Sequence, residues 1–175
     1  AEPAYTFGYA GFEGGEGAGV IDTPPTCDAA TFTGDAGSWP ITCSGGSDDN
    51  YQFSYVAGTL TVAQKPVTIS FTAANKVYTA TTAATITGCS VAVIETGDVT
   101  TCSFGSATAS FATAAVGNGK TVTGTGFTLA GADNANYTIQ TVNTTTANIT
   151  KATLTVTAQD KSITFDNVVP AKTVR

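Results

Sequence analysis

The chain reads as all-β: two tandem immunoglobulin-like antiparallel β-sandwich domains followed by one further strand. Three observations predict this. Thr supplies 35 of the 175 residues, and its branched Cβ favours extended backbone. Nineteen glycines supply turns, while the helix formers Leu, Glu, Lys and Arg are scarce. The chain also repeats itself with a period of roughly 85 residues, the size of a small sandwich domain.

The elements follow in order. Residues 1–64 form the first predicted domain. Within it "ATFTGDAGSWPITCSGG", from Ala30, reads as a strand, a Gly turn and a return strand. "NYQFSYVAGTLTV", from Asn50, closes it with alternating residues. Residues 65–150 form the second domain and contain the same parts in the same order. "KPVTISFTAANKVYT" opens it, with Val67, Ile69 and Phe71 on one face, the period of two that a half-buried strand requires. "ASFATAAVGNGKTVTGTG", from Ala109, matches the strand–turn–strand of the first half, and "NYTIQTVNTTTANIT", from Asn136, matches its close. Tyr51 and Tyr137 either bond backbone through their hydroxyls at a strand corner or pack in the core; the residues alone favour neither.

Residues 151–175 hold a third opening strand, "KATLTVTAQDKSITF", with Lys151 standing where Lys65 stands and with Leu154 and Val156 on one face. No body follows it, whereas residues 1–64 have a body and no opening strand. The closing "NVVPAKTVR" even aligns loosely with "AEPAYTF", Pro170-Ala171 against Pro3-Ala4.

"YAGFEGGEGAGVIDTPPTCDAATFTGDAGSWPITCSGGSDDNYQFSYVAGTLTV" resembles the MBG-type repeat of bacterial surface proteins. "KVYTATTAATITG", with "GNGKTVTGTGFTLAGADNANYTI", resembles the related YDG-type repeat. The second likeness departs at its signature, where Tyr78-Thr79-Ala80 stands for the usual Tyr-Asp-Gly; Phe165-Asp166-Asn167 stands at the corresponding place of the last segment. The resemblance implies a tandem β-sandwich module of secreted adhesins and surface fibres, with no catalysis and no site residues.

Charge and composition exclude several functions. The net charge is −6, and no basic stripe exists to neutralise nucleic-acid phosphates. No apolar run approaches the ~18 residues that span a bilayer, so no membrane insertion is expected. The chain has no His, which removes the commonest general base and metal ligand. Cys27, Cys43, Cys89 and Cys102 fall as two local couples without C-x-x-C spacing. Three pairings exist on paper; Cys27–Cys43 and Cys89–Cys102 are the expected ones, over free buried thiols, and they place the chain in an oxidising, extracellular setting. The opening "AEPAYTF" has no signal-peptide pattern, so any such leader is expected to have been removed.

The remaining motifs weigh towards structure. "GEGAG", from Gly15, runs into no helix that could receive a phosphate. "GNGKT", from Gly117, imitates the end of a nucleotide-binding loop, but its sequel alternates as a strand. Asp48 and Asp49 of "GSDDNY" fall short of the several oxygens that Ca²⁺ requires. Asn136, Asn143 and Asn148 sit in Asn-x-Thr sequons. Trp39 is read as a core residue rather than a sugar platform. No cofactor or metal is expected.

The expected function is therefore structural, and no enzyme: a subunit of an extracellular surface filament whose last strand completes the domain that lacks its first. Leu154, Val156, Ile163 and Phe165 are the expected anchors, and identical subunits joined head-to-tail the expected partners. The alternatives are a passive stalk repeat of a long adhesin and, third, a carbohydrate-binding module. A host or glycan ligand is left open.

Overall fold

A computed structural model describes residues 3–165. The first unit holds β1 (Thr26–Asp28), β2 (Gly37–Ser44) and β3 (Gly58–Val62), a meander in that order. The second holds β4 (Lys65–Ala73), β5 (Lys76–Val77), β6 (Ala83–Ala84), β7 (Ile86–Ala92), β8 (Thr101–Ser103), β9 (Thr108–Phe111) and β10 (Gly117–Thr125). It continues with β11 (Thr128–Ala130), β12 (Tyr137–Val142) and β13 (Thr145–Thr150). Short 3₁₀ turns occur at Ala18–Val20 and Asn134–Asn136. The protein is all-β, as its composition predicts.

The second unit has a core between two sheets. β4 lies at the centre of the sheet β12-β4-β7, which packs on the sheet β5-β13-β10-β9-β6. Val67, Ile69 and Phe71 of β4 are buried, in the period-two pattern read from the sequence. Ile69 and Phe71 meet Phe111, Val122, Phe127, Ala147 and Ile149 in one cluster. Gly124 must lack a side chain here: a Cβ on it would come within 2.8 Å of the Phe127 ring and 3.0 Å of Phe71.

Not every pairing is antiparallel, as a simple sandwich would have it. β4 runs parallel to β12, Tyr137 opposite Lys65, and β5 runs parallel to β13. The reason is topological. The opening strand of the repeat lies beside its closing strands, and the whole domain forms the crossover that a parallel pair requires. β4 then crosses to β5, so one stretch of chain belongs to both sheets.

The first unit is more sparsely laddered than the second. Among the described residues it has one ladder-built sheet, β1-β2-β3. Tyr51–Ala57, expected as a strand, is in no ladder, and neither is the segment from Pro3 to Phe12. Among the described residues of this unit, buried apolar side chains are few, Ala29 and Pro25. Among the described residues no strand pairs with either segment. The loose alignment over residues 167–175, and the corner at Phe165-Asp166-Asn167, lie outside the described residues in whole or in part.

Two disulfides brace the units. Cys27–Cys43 joins directly opposed residues of β1 and β2. Cys89–Cys102 joins β7 to β8, and so the sheet β12-β4-β7 to the pair β11-β8.

Candidate strand-docking cleft

The two units share a corner that shows how they correspond. Tyr137, which follows Asn136 into β12, is buried. Its phenol oxygen accepts the Glu95 N–H at 2.9 Å and donates to Asp98 Oδ2 at 2.6 Å. Burial, then the bond to Asp98, raise its pKa. Tyr51, which follows Asn50, accepts the Glu13 N–H at 3.1 Å and donates to the Glu16 carboxylate. The Glu16 bond raises its pKa too. In each case the clasped segment is a tight turn: Glu16 N–H bonds Glu13 O, and Asp98 N–H bonds Glu95 O. Even the positive φ two positions earlier recurs, with Gly11 at φ +98° and Val93 at φ +68°. Of the two roles open for these tyrosines, Tyr137 fills both. Tyr51 makes the hydroxyl bond at a more exposed site.

Counting along the chain from these corners matches Phe7–Phe12 to the end of β7 and Tyr51–Val56 to β12. In the second unit β4 stands between those two strands. In the first unit their counterparts border an open cleft of ≈ 440 Å³. Its walls are aromatic. Phe7, Tyr9 and Phe12 follow one another along one edge with ring centroids 5.5–5.7 Å apart. Phe53 stacks on Tyr55 at 6.1 Å along the other, and Tyr9 faces Phe53 across the gap at 6.3 Å. The cleft is lined by aromatic rings and bordered by two segments in no ladder, and the numbering of the two corners matches those segments to the neighbours of β4. Backbone edges in no ladder beside aromatic side chains are the features that strand addition uses.

The residues expected to be anchors lie elsewhere. Leu154 and Val156 are each 87% exposed and Phe165 is 90% exposed, and Ile163 is exposed as well. The segment from Lys151 to Phe165 is in no ladder. Among the described residues the chain thus carries an aromatic-lined cleft without a strand and an exposed, alternating apolar segment in no ladder.

The other motifs are absorbed by local structure. Asp48 accepts the N–H groups of Asn50 and Tyr51 through Oδ1, at 2.8 and 3.0 Å, and shapes the Asn-Tyr corner. Lys120 of "GNGKT" lies in β10 and donates to Thr113 Oγ1. Trp39 packs edge-on against Phe32 and donates to Asp35 O at 3.2 Å. The sequon residue Asn136 clasps the first unit: Ala36 N–H donates to its Oδ1 at 2.8 Å, and its Nδ2 donates to Asp35 at 2.9 Å. Gln64 adds a bond to Ala135 O at 2.8 Å. Sequence reading missed this junction and the aromatic lining. The signal for the lining was present as Phe7, Tyr9, Phe53 and Tyr55, spaced at period two on two segments.

Residues 1–61 match the family model of the MBG domain (YGX type), and residues 63–147 match that of the YDG domain. Neither a curated protein nor a solved structure matches the chain significantly. Domains of these two kinds are non-catalytic repeats typical of extracellular, adhesin-like surface proteins, a setting the two disulfides fit. The chain is built of an MBG-type repeat followed by a YDG-type repeat.

Proposed function

We propose that the protein is a structural subunit of an extracellular surface filament, joined head-to-tail by donation of the segment from Lys151 to the first unit of the next copy. One observation carries this reading: an aromatic-lined cleft lies between Phe7–Phe12 and Tyr51–Val56, the segments whose counterparts flank β4 in the neighbouring unit. The donor resembles β4 in sequence, and its apolar side chains are exposed. A strand in the cleft satisfies the backbone groups of both edges and buries those side chains. Leu154 and Val156 alone offer about 3–6 kcal/mol gross before the costs of association. The contact is heterologous, so copies add in a line unless the rotation closes a ring.

The membership in repeat families of long adhesins favours a second reading. There the same cleft is filled by the opening strand of a preceding repeat in one continuous chain, and the module is a passive stalk. Light scattering of the purified chain, beside one truncated after Thr150, separates the two. Truncation there keeps β13 whole. Polymers that collapse to monomers on truncation support strand donation between copies. A full chain that stays monomeric at high concentration, with a protease-sensitive segment beyond Thr150, supports the stalk.

A further inference from the structure

The proposed strand donation leaves open how the donor lies in the cleft, and the second unit supplies a template. We infer that the donor docks with a fixed polarity and register: parallel to Tyr51–Val56, antiparallel to Phe7–Phe12, with Ala152, Leu154, Val156 and Ala158 in the places of Val67, Ile69, Phe71 and Ala73. This inference rests on the reading above, and its partner is a second copy of this chain.

The register follows from burial. In β4 the side chains at 67, 69 and 71 are buried, and those at 66 and 72 are exposed. Matching Lys151 to Lys65, as the sequence first suggests, shifts the donor by one and turns Thr153, Thr155 and Thr157 into the core. A slip of one residue in a strand exchanges its faces. Matching Lys161 to Lys76 instead sets the four apolar residues inward, and it places Asp160 on Asn75. Asn75 has a role to inherit, since its Oδ1 accepts the Asn148 N–H at 2.7 Å.

The opposing residues then follow from the ladders of β4. Ile139 pairs with Val67, and its counterpart by the Asn-Tyr corner is Phe53, so Phe53 faces Ala152 of the donor. Val91 pairs with Ile69 and Cys89 with Phe71. By the Glu13–Glu16 and Glu95–Asp98 turns their counterparts are Tyr9 and Phe7. Leu154 therefore inserts beside Tyr9 and Val156 beside Phe7. Ile86, which pairs with Ala73, corresponds to Ala4, so Ala4 faces Ala158.

Beyond Ala158 the donor repeats the crossing of β4 to β5. β5 adds in parallel to the edge strand β13, whose counterpart in the first unit is β3, the edge strand of β1-β2-β3. Lys161 and Ser162 take the places of Lys76 and Val77 on that edge, and Ile163 the place of Tyr78. One donor strand thus ties both faces of the acceptor together, which assigns Leu154 and Val156 to the cleft and Ile163 to the second sheet.

Oxidative cross-linking of full-length double variants tests this, because the described residues hold no free cysteine to interfere. The pairs are Phe53→Cys with Ala152→Cys, and Ala4→Cys with Ala158→Cys; Phe53→Cys with Thr153→Cys is the shifted control. Each is followed by light scattering and by non-reducing gels. The expected result is a reducible ladder of dimers and higher multimers from both in-register pairs, at least tenfold more than from the control. A ladder chiefly from the Thr153 variant, in samples that still polymerise, overturns the register and leaves strand donation standing. Cross-linked monomers without a ladder overturn the second copy as occupant. Monomers without cross-links, in the parent chain as well, overturn strand donation itself.

Discussion

Tyr51 and Tyr137 hold the same turn twice: the phenol oxygen of each accepts a backbone N–H, from Glu13 and from Glu95, and donates to a carboxylate three residues further on. The two corners fix the correspondence of the units through their hydrogen bonds. The difference between them is what lies beside the tyrosine: β4 in one unit, a cleft in the other.

Tyr137→Phe leaves the Glu95 N–H and the Asp98 carboxylate without that partner. The melting temperature of the second unit is expected to fall by roughly 5 °C or more. Ionisation has the same target. The Tyr137 pKa is raised above the ordinary value of about 10, so its contribution is whole below that value and is lost as pH rises through the higher folded one. Thermal melts between pH 8 and pH 11 should show the parent chain losing stability faster than Tyr137→Phe.

Leu154→Asp separates assembly from folding. Leu154 is exposed and in no ladder, so the melting temperature of the monomer should move by less than about 1 °C, as for an exposed site. A carboxylate carried in among the aromatic rings of the cleft without a partner is costly. Polymer growth by light scattering should then fall at least tenfold. A variant that polymerises like the parent argues against the donor.

Ala80→Gly should stabilise the second unit. Ala80 has φ +61°, and an L-residue there costs about 1–2 kcal/mol. Glycine removes that strain and returns part of it as unfolded-state entropy, so a net gain of about 0.5–1 kcal/mol is expected in urea denaturation. The usual Tyr-Asp-Gly signature has Gly at this position, and the backbone supplies the physical reason. Tyr78 meanwhile keeps its tie to β13 through a 2.9 Å bond from its N–H to Thr150 O.

The disulfides should differ in what they protect. Replacing Cys89 and Cys102 together by Ser removes a crosslink with a sequence separation of 13, a loss of about 3 kcal/mol. The remaining core should still hold the second unit folded. Replacing Cys27 and Cys43 removes a similar crosslink from a unit with little buried core. Limited proteolysis is expected to cut between Tyr5 and Tyr55 several times faster in that variant, with the second unit spared.

Breaking the junction is a test of stiffness. Asp35 has a lowered pKa through its bonds to Thr33 and Asn136, so its contribution is present above the ordinary carboxylate range and is lost as pH falls through the lower folded value. Asp35→Ala is expected to widen the distribution of angles between the units in small-angle scattering while leaving both units folded.

The sequence by itself determined the class of protein, the repeat and its phase. Thr and Gly content set the backbone preference, and the alternation at Val67, Ile69 and Phe71 set which face is buried, because a strand has a period of two whatever its partners. Tertiary structure decided the rest. That β4 runs parallel to β12, that Tyr51 and Tyr137 clasp turns 35–42 residues away and that Asn136 grips Asp35 are relations between distant segments, which no local propensity encodes. Lys65 and Lys151 look equivalent when read along the chain. The burial of alternate residues in β4 is what favours matching Lys161 to Lys76 in the register proposed above, because strand register is set by the core it faces.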